Sequence, residues 1–152
     1  MSSKNNSYLS IAKNEYEYIT NDKLQGFNNI KAFHCQQVCE KLLKHVVSQV
    51  CTNVDILRTN KLKRLYDNIS TEIMLSKESE DYLSTLSHFY SDTRYPGDDY
   101  VDVSDSDLNR SMSVTREIYQ KVMEWENKRT PSKSVSELLA AASKTIINNI
   151  VD

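Results

Sequence analysis

Apolar side chains recur at helical spacing over most of the chain. In residues 7–20, Tyr8, Ala12, Tyr16 and Ile19 stand at steps of four, four and three, the stripe of an amphipathic helix. Asn21 and Asp22 end it, and Gln25-Gly26 separates it from the next element. Residues 27–50 carry the strongest pattern. Cys35, Cys39, Leu42, Val46 and Val50 line one face, and Phe27, Ile30, Phe33, Val38 and Leu43 widen it. A face that wide predicts a helix packed on more than one neighbour. A shorter helix is predicted over 60–70, with Leu62, Leu65, Tyr66 and Ile69 inward. Another is predicted over 78–92, with Tyr82, Leu86, Phe89 and Tyr90 inward and a cap supplied from Ser76 to Ser79.

Pro96 has no backbone N–H and pushes the residue before it out of the α region. The helix over 78–92 must therefore stop near Thr93 or Arg94, leaving 95–103 as a loop. Ser104 with Asp107 reads as the cap of the next helix. That helix runs to about Trp125, with Leu108, Met112, Thr115, Ile118, Val122 and Trp125 inside. A polar break from Asn127 to Lys133 follows. Ser134 and Glu137 then form another capping box before Val135, Leu138, Leu139, Ala142, Ile146 and Ile150. The sum is an all-α chain: an up-and-down four-helix bundle with a short helix inserted and an extra C-terminal helix. The bundle is expected over residues 1–126, and a linker with an appended helix over 127–152.

Composition narrows the chemistry. The chain has only two glycines and two prolines in 152 residues. With Gly26 and Gly97 alone, no GxGxxG or GxxxxGK[ST] phosphate loop exists, which excludes Rossmann and P-loop enzymes. Three cysteines, an odd number, fit a reducing compartment rather than a disulfide framework. The N-terminus lacks an apolar leader, and the longest apolar runs fall far short of a membrane span. A cytoplasmic protein with no membrane association is the expectation. A net charge of −2 gives no global field for nucleic acid, so any RNA contact must come from a local patch or an intersubunit cleft.

Four fragments, taken together and in order, resemble the HEPN family. They are Tyr8-Leu9-Ser10-Ile11-Ala12; Phe33-His34-Cys35-Gln36-Gln37 followed by Cys39-Glu40-Lys41-Leu42-Leu43-Lys44; Thr59-Asn60-Lys61-Leu62 leading to Leu65; and Leu86 to Tyr90 running into Arg94-Tyr95-Pro96. The likeness spans roughly residues 8–125. It implies a four-helix bundle that forms a homodimer, with the loop after the third long helix lining a cleft between subunits. Active HEPN ribonucleases carry Arg, four to six spacers, then His; here Arg94 is followed by five spacers and Tyr100. The pattern resembles the variant found in toxins paired with a small nucleotidyltransferase antitoxin. It implies metal-independent RNA cleavage, with Arg94 and Tyr100 as catalytic residues and no cofactor. The alternative is a non-catalytic HEPN module acting as a binding or regulatory partner.

The residue chemistry bears on both readings. A guanidinium stays charged and offers a planar fork of donors to a phosphodiester. A phenol is a poor general base at neutral pH, so Tyr100 suits orientation or proton donation. By resemblance it is also a hydroxyl that a nucleotidyltransferase modifies with AMP. Asp98 and Asp99 weaken phosphate affinity nearby. The plainer role for Arg94 is a helix C-cap. Arg58, Lys61, Lys63 and Arg64 form the densest basic cluster, with Arg58, Lys61 and Arg64 the candidate RNA contacts and a solvated face the alternative. Asn60 departs from the family's His. His88, the other candidate base, is expected to pack against its neighbours. Cys35 and Cys39 share a face but form no CxxC pair, and they read as core rather than as metal ligands.

Overall fold

The computed structural model describes residues 7–21, 23 and 26–129. The sequence-predicted helix over 134–150 and its linker beyond 129 lie outside the described residues. The chain divides into two compact units, Met1–Val122 and Met123–Asp152. The helices are α1 (Tyr8–Ile19), α2 (Asn28–Val50), α3 (Leu62–Asp67), α4 (Lys77–Asp92) and α5 (Asp105–Arg129), with a 3-10 turn over Val54–Arg58. No strand occurs among the described residues.

Serine hydroxyls start α1, α4 and α5. The Ser7 hydroxyl accepts from the Ser10 N–H at 3.1 Å, and the Ser10 hydroxyl accepts from the Ser7 N–H at 3.1 Å, a reciprocal box that satisfies two orphan donors. The Ser76 hydroxyl accepts from the Ser79 N–H at 3.2 Å, and that of Ser104 from the Asp107 N–H at 3.1 Å. Such caps are worth about 1 kcal/mol each. At its other end α5 passes the predicted stop near Trp125 and reaches Arg129. Lys128 and Arg129 sit where cations complement a helix C-terminus, and the Arg129 guanidinium lies 4.4 Å from the Trp125 ring, one turn back.

Cross-helix contacts give the direction of each element. On α1 and α2, Tyr18 meets His34, and Glu15 pairs with both His34 at 3.2 Å and Lys41; the position on α1 falls as that on α2 rises, so the two are antiparallel. Phe33 lies against Tyr90, and Asn29 reaches the Thr93 carbonyl, with α4 descending along α2. Between α4 and α5, Ser76 bonds Glu117 while Tyr82 bonds Asp107, again antiparallel. Along α2 and α5 the pairs Cys35–Met112 and Cys39–Thr115 rise together. The result is the up-and-down bundle, with α2 touching every other long helix.

That central position explains its wide face. Ala32, Cys35, Gln36, Val38, Cys39, Leu42, Leu43, Val46 and Val47 are all buried. Each Val or Leu side chain removed from water in this way contributes about 1.5–3 kcal/mol. The stripe frays at the two ends of α2: Phe27, Ile30 and Val50, expected inside, are exposed. Tyr90, expected inward, is 36% exposed, and His88, expected to pack, has a side chain 75% exposed. Both border the open cleft between α3 and α4. Gln36 is fully buried, its amide donating to Glu40 at 3.1 Å and to the Asn60 carbonyl at 3.3 Å. Glu40 pairs with Lys44 at 3.2 Å, one helical turn on, as the spacing predicts.

Candidate functional site

The last turn of α4 and the loop that follows carry Arg94. Asp92 ends the helix, Thr93 caps it, and the Arg94 N–H donates to the Ser91 carbonyl at 3.2 Å. The side chain folds back, and its Nε donates to the Tyr90 carbonyl at 2.8 Å. The C-cap role is therefore real, and it uses one nitrogen. The guanidinium carbon lies 4.3 Å from the centre of Phe33, 4.8 Å from Tyr90 and 5.0 Å from Tyr95, all within cation–π range. Among the described residues no carboxylate pairs with it. One edge is fastened and the faces are packed on rings, while the two terminal nitrogens keep their donors.

The loop is held by a residue that sequence reasoning passed over. Asn29, in the first turn of α2, shares its two Nδ2 hydrogens among the Thr93 carbonyl at 3.3 Å, the Tyr100 hydroxyl at 3.1 Å and the Val101 carbonyl at 2.9 Å. Its Oδ1 accepts from the Val103 N–H at 2.8 Å. A backbone N–H can only donate and a backbone carbonyl can only accept, so these partners fix which way the amide points. The neighbouring Asn28 holds the Val103 carbonyl and the Asp105 carboxylate, at 3.1 and 2.8 Å. Both ends of the loop are thus clamped to one turn of α2. Asn29 and Phe33 are four residues apart, about 6 Å along the helix, so Tyr100 and Arg94 dock on the same face. No spacing within the sequence marks Asn29, because its partners lie 64 to 74 positions away.

Tyr100 is 49% exposed. Because its oxygen accepts from Asn29, its own proton is directed elsewhere. The loop turns at Gly97, whose φ of +154° suits a residue without Cβ, and the Tyr100 N–H closes on the Gly97 carbonyl at 3.2 Å. A hollow of about 210 Å³ beside the loop is lined by Asp92, Asp98, Asp99 and Tyr100 among others. Arg94 is not part of that wall, so within one chain the guanidinium and the phenol border different spaces.

The basic cluster does not stay together. Lys61, Lys63 and Arg64 line a cleft of about 550 Å³ between α3 and α4, with Ser84, His88 and Tyr90 opposite. Arg58 lies outside it, exposed and 3.9 Å from Asp55. Lys63 is engaged by Asp67 and, at 3.3 Å, by Glu80; hydrogen bonding to Asp67 raises its pKa. Lys61 and Arg64 have no carboxylate partner among the described residues. Tyr90 belongs both to this cleft and to the aromatic packing around Arg94.

Cys35 and Cys39 belong to the core. Cys35 and Cys39 are buried, with Cys35 Sγ 3.3 Å from Met112 Sδ and the Cys39 thiol donating to Thr115 Oγ1 at 3.4 Å. Burial pushes the Cys35 thiol up to about 12 and raises Cys39 as well, the opposite of a thiolate ligand or nucleophile. No group of metal-ligating side chains gathers among the described residues, and no helix there is long and apolar enough to cross a membrane.

Comparison with known proteins is consistent with the early resemblance: the HEPN domain family model matches residues 6–128, most of the chain. No curated protein and no solved structure matches.

Proposed function

The chain belongs to the HEPN family, and from that premise we propose that it is the RNA-cleaving toxin of a pair with a minimal nucleotidyltransferase antitoxin. Two copies meet so that Arg94 of each faces a shared cleft. The RNA 2′-OH loses its proton to water and attacks the adjacent phosphorus, the 5′-oxygen leaves and takes up a proton, and a 2′,3′-cyclic phosphate forms without a metal ion. Arg94 neutralises the charge that builds on the phosphoryl oxygens. Tyr100 orients the phosphate or donates its outward proton to the leaving oxygen.

The observation that carries this reading is the state of the Arg94 side chain. Its Nε is tied to the Tyr90 carbonyl and its faces rest on Phe33, Tyr90 and Tyr95, so its terminal donors are pre-oriented without a carboxylate to neutralise them. A preorganised donor stabilises a transition state without reorganising at the moment of reaction. Lys61 and Arg64 supply further phosphate contacts; Arg58, already beside Asp55, contributes less. Expression of the wild-type chain and of Arg94→Ala in bacteria tests the proposal. The wild type should arrest growth and cleave RNA, and the variant should lose on the order of 100-fold or more of that activity. Equal growth and intact RNA for both proteins would remove the reading.

A second reading has its own observation. The Tyr100 hollow holds three carboxylates, Asp92, Asp98 and Asp99, and no cation, which favours a non-catalytic binding or regulatory module. Robust RNA cleavage by the purified protein in a chelator would exclude it.

A further inference from the structure

We infer that the cleft between α3 and α4 seats single-stranded RNA on its way to Arg94. This deepens the ribonuclease reading and rests on it for the identity of the polymer. Several cations among the described residues are neutralised: Lys41 by Glu15, Lys44 by Glu40, Lys63 by Asp67 and Glu80. Lys61 and Arg64 are different. They stand in the wall of a concave space that Asp67, paired with Lys63, also lines, and among the described residues no carboxylate pairs with them. An unpaired ammonium and an unpaired guanidinium side by side are suited to phosphate oxygens.

The opposite wall fits the rest of a nucleotide. Ser84 and His88, one turn apart on α4, offer a hydroxyl and a ring nitrogen, and Tyr90 offers an aromatic ring. The cleft volume of about 550 Å³ is in the range of small-ligand pockets, enough for an unstacked nucleotide and too small to admit a duplex. Bases splayed from a single strand stack on such rings and donate or accept along their edges. The Tyr90 ring that borders the cleft also packs under Arg94, so the two places adjoin. From His88 to Arg94 is six residues, about 9 Å along the α4 direction, a distance that neighbouring nucleotides of one strand bridge. An acidic peptide would satisfy the two cations but would leave the ring and the hydroxyl without a partner.

Fluorescence anisotropy with a short labelled single-stranded RNA tests this, using a 2′-O-methylated strand so that cleavage does not interfere. The full chain is compared with K61Q/R64Q and with K13Q/K121Q, which removes equal charge from exposed positions on α1 and α5 that do not line the cleft. The cleft variant should bind about 10-fold more weakly, and its slope of log K against log salt should fall by about 1.4, or 0.7 for each lost phosphate contact. Tyr90→Ala should weaken single-strand binding further, while the control pair and binding to a duplex of the same sequence change little. Unchanged single-strand affinity in K61Q/R64Q would overturn the inference. So would equal binding of a poly-aspartate peptide with the same dependence on Lys61 and Arg64. The two readings fail separately: loss of binding in K61Q/R64Q with no effect of Arg94→Ala on cleavage would remove the catalytic proposal alone, and the reverse would remove the cleft alone. Lys61 and Arg64 are both exposed, so thermal unfolding should stay close to wild type, and the single variants K61Q and R64Q repeat the measurement one contact at a time.

Discussion

The seam between α2 and α5 and the loop that follows α4 both rest on α2, yet they treat polar groups in opposite ways. In the seam, Cys39 donates to Thr115, and Thr115 donates to the Ser111 carbonyl at 2.7 Å. Every polar atom is consumed inside the protein, and among the described residues no buried side-chain nitrogen or oxygen lacks a partner. In the loop, each functional group is held by one part and left open at another: Arg94 by Nε, Tyr100 by its oxygen. The difference separates stability from function. A satisfied, desolvated group has nothing left to offer a ligand, whereas a group fixed at one end and exposed at the other is ready to bind.

The contrast can be broken at several points. Leu42→Ala, in the fully buried α2 face, should cost about 2–5 kcal/mol through lost burial and a residual cavity; urea unfolding measures it. Asn29→Ala should cost about 1–3 kcal/mol by leaving backbone groups of the loop unpartnered, and it should release the Val103 amide to hydrogen exchange while the seam amides stay protected. Asn29→Asp should be no better at neutral pH, because a carboxylate accepts from the Val103 N–H but cannot donate to the Thr93 and Val101 carbonyls.

Alkaline pH strikes the seam through its thiols. Cys35 is raised to about 12 in the folded chain from an ordinary 9.0, and Cys39 is raised too. The unfolded chain therefore releases these protons first. Below pH 9 both thiols are neutral in either state and cost nothing. As pH rises from 9 toward 12, stability should fall by about 1.4 kcal/mol per pH unit for each thiol. Unfolding midpoints across that range should show the slope, and Cys35→Ala should remove one thiol's share of it. The smallest effect belongs to the loop: Arg94→Ala should change stability by no more than about 1 kcal/mol, since it removes an exposed cap and cation–π contacts. A larger loss would mean that Arg94 is primarily structural.

These expectations mirror what was readable along the chain. The helix over Lys77–Asp92, its Ser76 cap, its stop before Arg94-Tyr95-Pro96 and the Ser104 cap of α5 follow from spacing and from proline's missing donor. Arg94 became a candidate only through the resemblance of Arg94 and Tyr100 to the HEPN family's pattern. Phe33, read as extra apolar width on α2, is instead the platform beneath the guanidinium. Its periodicity was right, but periodicity does not say what a half-exposed ring packs against.

The sequence by itself determined which of the described segments form the long helices, the serine caps that open α1, α4 and α5, the stop of α4 before Pro96, and the family to which the chain belongs, because local hydrogen bonding and the period of burial are written within a few residues. Tertiary structure alone decided that Asn29 clamps the loop, that Lys63 is neutralised while Lys61 and Arg64 are not, and that Arg58 stands apart from them. Those outcomes depend on which groups far apart in the chain arrive at the same place, and polar partners are chosen by distance in space, which no spacing along one helix records.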